Sequence, residues 1–231
     1  MSNILVIAPH PDDEVLGCGG TIKKHIKAGD EVYLCIMTKP IVPDWSEEYI
    51  NNKEKEIKAS NNSLGFKGVF FLDLPSLRLD TVPQKDINDK LSEVLKKVEP
   101  KILYIPFFGD INHDHRIAFE SSLVVSRPKP EFTIEKILAY EISPTTEMAI
   151  SKAEKLEDIF IPNYYEDISD FLEDKKKAME CYKSELKEYP HPRSLKGIEV
   201  LAQKRGMECG IGLAEAFMLI RELKISSNGT R

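Results

Sequence analysis

The chain reads as an α/β protein with a Rossmann-like three-layer fold, a mostly parallel sheet carrying helices on both faces. Three observations predict this. Short, β-branched apolar runs recur, and in the first of them, Ile4-Leu5-Val6-Ile7-Ala8, every residue is apolar, as in a strand buried on both faces of a parallel sheet. Segments with helical periodicity separate the runs, so strand and helix alternate as in βαβ units. Two of the strands end in bursts of titratable residues, His10 to Glu14 and Asp110 to Arg116. The carboxyl edge of such a sheet is where ligands bind.

Taken in order, the first strand is flanked by Asn3 and Pro9, and Pro11 suits the first turn of a helix because its φ is already near the helical value. Thr21 to Ala28 continues as helix until Gly29-Asp30 stops it. Val32 to Met37 is a second buried strand, followed by a long connection with Trp45, the single tryptophan. Ser46 to Leu64 reads as a charged helix ended by Gly65, and Val69 to Leu72 as a third strand. Asp86 to Val98 sets Ile87, Leu91, Val94, Leu95 and Val98 at helical spacing, and Pro100 closes it. Ile102 to Ile105 is the fourth strand, Ile117 onward is helical, and Ile134 to Ile142 is the fifth strand. Beyond these, Asp158 to Pro162 is expected to form a short edge strand and Asp167 to about Lys187 a long helix. Tyr189 to Ser194 is too proline-rich for helix or central strand.

Length and composition bound the function. With 231 residues, 42% hydrophobic and 30% charged, one domain spanning residues 1–231 is the simplest organisation. The net charge of 32 − 38 = −6 argues against a nucleic-acid partner. The longest basic run, Lys175-Lys176-Lys177, reads as a solvated helix face, and His25, among lysines, as a surface residue. Cys18, Cys35, Cys181 and Cys209 show neither metal-site nor secreted-framework spacing, so reduced thiols in the cytoplasm are expected. No signal peptide is visible, and no apolar stretch approaches the roughly 20 residues of a membrane span. A soluble, cytoplasmic protein without a membrane partner is the expectation.

The chemistry is concentrated in the two charged clusters. If a turn begins at Pro11, His10 and Asp13 are three apart and point the same way, one imidazole and one carboxylate forming half of a divalent-metal site. Asp12 cannot share that direction but could reach a metal-bound water as a general base. Gly17, Gly19 and Gly20 remove side chains from the next turn, so backbone or ligand can approach. A catalytic zinc commonly takes three protein ligands, and the second cluster can meet the first across the sheet edge.

Pro9-His10-Pro11-Asp12-Asp13-Glu14 followed by Leu16-Gly17-Cys18-Gly19-Gly20 resembles the motif of the PIG-L/LmbE family of zinc-dependent de-N-acetylases. The resemblance implies that His10 and Asp13 ligate zinc, or another divalent metal, and that Asp12 is the catalytic base. It also implies a third ligand in an Asp-His pair, which Asp114-His115 matches; His113 is the nearer competitor, but residues two apart on a starting helix diverge. Many relatives carry His-x-x-His here, whereas this chain has Asn112-x-x-His115. Asn112 can donate a hydrogen bond to an oxyanion but cannot shuttle a proton. His191 and Arg193 resemble a feature of the bacterial LmbE-like branch, with His191 as a candidate proton donor. Arg78, Asp80 and Arg193 are candidate substrate contacts on grounds of loop polarity. The implied reaction removes an N-acetyl group from an N-acetylated sugar, nucleotide-sugar or sugar conjugate, and the resemblance leaves room for a homo-oligomer. Two other classes compete: a nucleotide-binding phosphohydrolase cradling phosphate on the GxGG turn, and a non-catalytic carbohydrate-binding module.

Overall fold

The computed structural model describes residues 1–128, 132–149 and 158–224. Among these, seven strands form one sheet: β1 (Asn3–Ala8), β2 (Glu31–Lys39), β3 (Gly68–Pro75), β4 (Ile102–Pro106), β5 (Lys136–Tyr140), β6 (Tyr164–Asp167) and β7 (Ala214–Glu222). The helices are α1 (Asp13–Lys27), α2 (Glu47–Leu64), α3 (Gln84–Val98), α4 (His113–Val125), α5 (Thr145–Met148), α6 (Leu172–Cys181) and α7 (Leu195–Cys209), with a 3₁₀ turn at Leu79–Thr81. The spatial order is β3-β2-β1-β4-β5-β7-β6. The pairs from β3 through β5 are parallel, whereas β7 runs antiparallel to both β5 and β6.

Alternation along β1 shows why three layers form. Ile4, Val6 and Ala8 enter one core with residues of α1, α2, α6 and α7, while Leu5 and Ile7 enter the other with residues of α3 and α4. Strand order reverses between β1 and β4, because the chain moves outward through β2 and β3 before β4 returns to the far side of β1. The crevice outside the carboxyl ends of β1 and β4 is therefore the topological switch point. Both charged clusters follow those two strands.

Four expectations are corrected. The edge strand is Tyr164–Asp167 rather than Asp158 to Pro162, since β6 needs the partner β7 that the sequence reading did not identify as a strand. The long helix from Asp167 is only α6, because Tyr182 leaves helical geometry with ψ 63° and residues beyond it turn. His25 is half-buried, within hydrogen-bond reach of Asp30 Oδ2 and Tyr104 Oη at 3.0 Å each. Lys175 is buried, not solvated: its Nζ donates to Glu215 Oε1 at 2.6 Å and to Leu16 O at 2.8 Å.

That last pair explains the glycines of α1. The helix departs from helical φ/ψ at Cys18, and the N–H groups of Gly20 and Thr21 donate to the Glu215 carboxylate at 2.9 and 2.7 Å. A Cβ on Gly17 would lie 2.1 Å from the Tyr140 ring, and one on Gly20 would lie 2.9 Å from Ile168. The glycine run thus lets a broken helix pack closely, and a carboxylate of the chain itself takes the N–H groups that a phosphate cradle would have to offer. Among the described residues, no helix is long and apolar enough to cross a membrane.

Candidate metal centre

The loop after β1, the first residue of α1 and the start of α4 bring His10, Asp13 and His115 together. His10 Nδ1 lies 3.2 Å from His115 Nε2 and 3.3 Å from Asp13 Oδ2, and His115 Nε2 lies 3.4 Å from the same oxygen. Two imidazole nitrogens and a carboxylate oxygen so close need a proton or a cation between them. Tetrahedral zinc with bonds of roughly 2.0–2.1 Å places its ligands about 3.3 Å apart, so the triangle fits one face of such a site. Among the described residues, Asp13 Oδ1 is buried with no hydrogen-bond partner, a further sign of a centre shaped for a charged guest.

The charges around the triangle say the same. Burial works to lower the His115 pKa, but the charge of Asp13 and the contacts with Asp110 and Asp13 raise it to about 10. Burial would raise Asp13, yet the charge of His115 and hydrogen bonds from both histidines hold it below the usual carboxylate range. The carboxylates that draw a proton to His115 would equally attract a divalent ion, which would compete with that proton. These residues could hold a metal ion.

Each histidine has its own carboxylate behind it. His10 Nε2 lies 2.9 Å from Asp114 Oδ2, which also accepts from the N–H of Leu77, while Asp114 Oδ1 accepts from the N–H of Leu79. With the Nε2 proton directed to Asp114, Nδ1 is left as a lone pair facing the triangle. His115 Nδ1 lies 3.2 Å from Asp110 Oδ2, which also accepts from the hydroxyls of Thr145 and Thr146. Sequence reasoning singled out Asp114 only as part of a matching pair, and gave Asp110 no role. Asp114→Asn should weaken metal affinity roughly 10–100-fold, as for other groups that orient a ligating histidine, in a competition titration with a chelating dye.

Asp12 is not one of the three clustered donors, but it lines the cavity beside His10. Its φ of 106° is a left-handed value rare outside glycine, and its N–H donates to Glu14 Oε2 at 3.1 Å. Its Oδ2 instead accepts from Arg193 Nη1 at 3.1 Å. Burial pushes the Asp12 carboxyl well above the usual carboxylate range, with Arg193 opposing. Glu14, which sequence reasoning left without a role, is fully buried, and burial raises it to about 7 although it accepts from Tyr182 Oη at 2.7 Å.

The remaining candidates divide. Asn112 is the N-cap of α4, its Oδ1 accepting from the N–H of Asp114 at 3.0 Å, and it lines a cavity of about 240 Å³ with His10, Asp12 and Arg193. Trp45, Tyr49, Lys53, Leu77 and Glu185 line the same cavity. Lys53 and Glu185, which the sequence did not flag, carry charge to Arg193: Glu185 accepts from Lys53 Nζ at 2.7 Å and from Arg193 Nη1 at 3.3 Å. His191 is exposed and its Nδ1 accepts from the N–H of Arg193 at 3.0 Å, so it stands in a turn and does not line the cavity. Arg78 pairs with Asp44, Asp80 is an exposed residue of the 3₁₀ turn, and neither lines the cavity. His113 is exposed at the first turn of α4. A neighbouring cavity of about 330 Å³ shares Pro11, Pro40 and Lys53 but none of the metal donors.

A switch-point cavity beside three donors that could hold a metal ion, with the buried carboxylate of Asp12 next to them, marks the site of this α/β protein. The chain belongs to the GlcNAc-PI de-N-acetylase (PIG-L) family, whose pattern matches residues 5–125. It is 27% identical over 198 residues to a diacetylchitobiose deacetylase of Thermococcus kodakarensis, covering 81% of this chain and 72% of that protein. It is also 27% identical to a probable N-acetyl-alpha-D-glucosaminyl L-malate deacetylase 2 of Bacillus cereus, over 79% of this chain and 83% of that one. Among solved structures, the 4-carboxy-2-hydroxymuconate hydratase GalB of Pseudomonas putida KT2440 superposes with a TM-score of 0.75 over 100% of both chains at 18% identity. That likeness concerns the fold alone, and it shows why the reaction must be argued from the site.

Proposed function

We propose that this protein is a zinc-dependent N-deacetylase that hydrolyses the acetamide of an N-acetylated sugar, nucleotide-sugar or sugar conjugate. The observation that carries this reading is the buried carboxylate of Asp12 beside, but outside, the His10–Asp13–His115 triangle. Zinc held by those three residues would supply Lewis acidity, polarising an amide carbonyl and lowering the pKa of a water. Asp12 is then the general base that takes the proton of the attacking water. Burial draws a proton to Asp12 and the Arg193 guanidinium opposes it, so the same carboxyl can take the proton and return it to the departing amine. With the His191 ring engaged by the Arg193 N–H, Asp12 is assigned both proton transfers. Asn112 has committed its oxygen to capping α4, leaving its Nδ2 to donate to the developing oxyanion. Arg193 orients Asp12 and offers further N–H groups to sugar hydroxyls. Arg78 and Asp80 are left as outer contacts at most. The reading includes a single catalytic domain, a cytoplasmic setting and a small-molecule substrate.

The test is acetate release by zinc-loaded protein from a panel that includes N-acetylglucosamine, N,N′-diacetylchitobiose and UDP-N-acetylglucosamine. Acetate from at least one sugar, abolished by a chelator, is the expected result. Phosphate release without acetate would favour the phosphohydrolase, and binding without either product the carbohydrate-binding module.

A further inference from the structure

Leu77 stands where neither packing nor backbone chemistry favours leucine. Its φ of 58° lies in the left-handed region, which glycine and asparagine adopt far more readily. Among the described residues, the other non-glycine positions with positive φ are Asp12, Asp73 and Glu99, all acidic, so Leu77 alone is apolar. The residue is 60% exposed and belongs to neither core. Yet the strained conformation is held firmly, because its N–H donates to Asp114 Oδ2 at 2.7 Å, the same oxygen that faces His10. Residues of this kind persist where their surroundings over-determine them, and they cluster at ligand sites.

Leu77 lines the cavity that contains His10, Asp12 and Asn112, and so does Trp45, the sole tryptophan of the chain. We propose that Leu77 is a specificity-determining residue whose side chain, with the Trp45 ring, forms the apolar contact surface for the C–H face of the substrate's pyranose ring. A cavity that combines two apolar surfaces with the charged groups of Arg193, Glu185 and Lys53 suits a ligand with an apolar face and a hydroxyl-bearing edge. The same carboxylate, Asp114, then positions both the sugar contact and a metal-facing histidine.

This inference rests on the deacetylase reading, and the experiment separates the two. Zinc-loaded wild type, Leu77→Asn and Leu77→Met are compared for acetate release from the panel sugar that the wild type turns over best. Binding of methyl glucosaminide, an amine product analogue, is followed by Trp45 fluorescence. Asparagine accepts the left-handed backbone, so the melting temperature of Leu77→Asn should hold or rise. Its KM and the dissociation constant of methyl glucosaminide should rise roughly tenfold or more, with a smaller change in kcat, while Leu77→Met stays near wild type. A lowered melting temperature with unchanged KM would make Leu77 a structural residue and overturn the proposal. If the wild type releases acetate from no sugar, the deacetylase reading fails and the binding measurement still decides. Methyl glucosaminide that binds wild type and Leu77→Asn equally, or binds neither, overturns the inference.

Discussion

Asp12→Asn is expected to lower turnover by roughly 10²–10⁴-fold, the contribution of a positioned general base, while metal content and the melting curve stay near wild type. The reasoning begins with the backbone. Asparagine tolerates the left-handed conformation at this position about as well as aspartate does, so φ of 106° is no obstacle. The amide is isosteric with the carboxylate, and its oxygen can still accept from Arg193 Nη1. What it cannot do is take a proton. Because Asp12 is not one of the three clustered donors, the metal should be unaffected. Near-normal kcat in this variant, measured alongside elemental analysis, would remove Asp12 from the mechanism.

The second large effect belongs to His115. His115→Ala should carry little metal by elemental analysis, whereas His113→Ala should retain the wild-type amount. Removing one of three donors leaves too few protein ligands for a tight catalytic site. His115 is also buried between Asp13 and Asp110, so its loss strands two carboxylates and should destabilise the fold. His115→Gln keeps a polar group in that space and serves as the second variant. It too should lose metal if Nε2 is a ligand. Retained metal in both His115 variants, with loss in His113→Ala, would show that the wrong histidine was chosen.

Much of this architecture is readable before any coordinates. The apolar run Ile4 to Ala8 in β1, followed after Pro9 by His10, Pro11, Asp12 and Asp13, states both the parallel sheet and the edge at which the charged cluster sits, because apolar runs and charge have no shared reason to adjoin otherwise. The juxtaposition of the two clusters follows from the switch point between β1 and β4. Other features depend on partners distant in sequence. Strand β7 is recognisable only against β5 and β6, and the burial of Lys175 only against Glu215, forty residues away. Glu185 and Lys53 look like ordinary surface charges until α2 and the turn after α6 place them beside Arg193. His191 shows the converse: its setting among prolines marks a rigid turn, but only the three-dimensional path shows that the turn spends the ring on its own backbone. Leu77 carries no sequence signal, since its strain is a property of the backbone that Asp114 holds.

The central claim is that His10, Asp13 and His115 bind one divalent ion on which amide hydrolysis depends. Its most direct test is reconstitution of the metal-stripped protein with zinc, following acetate release from the best panel sugar against zinc equivalents. Activity should be near zero without metal, should rise in proportion to added zinc, and should level off at one equivalent per chain. Full acetate release by protein shown to be metal-free, or a plateau unrelated to zinc occupancy of this centre in the His115 variants, would contradict the account.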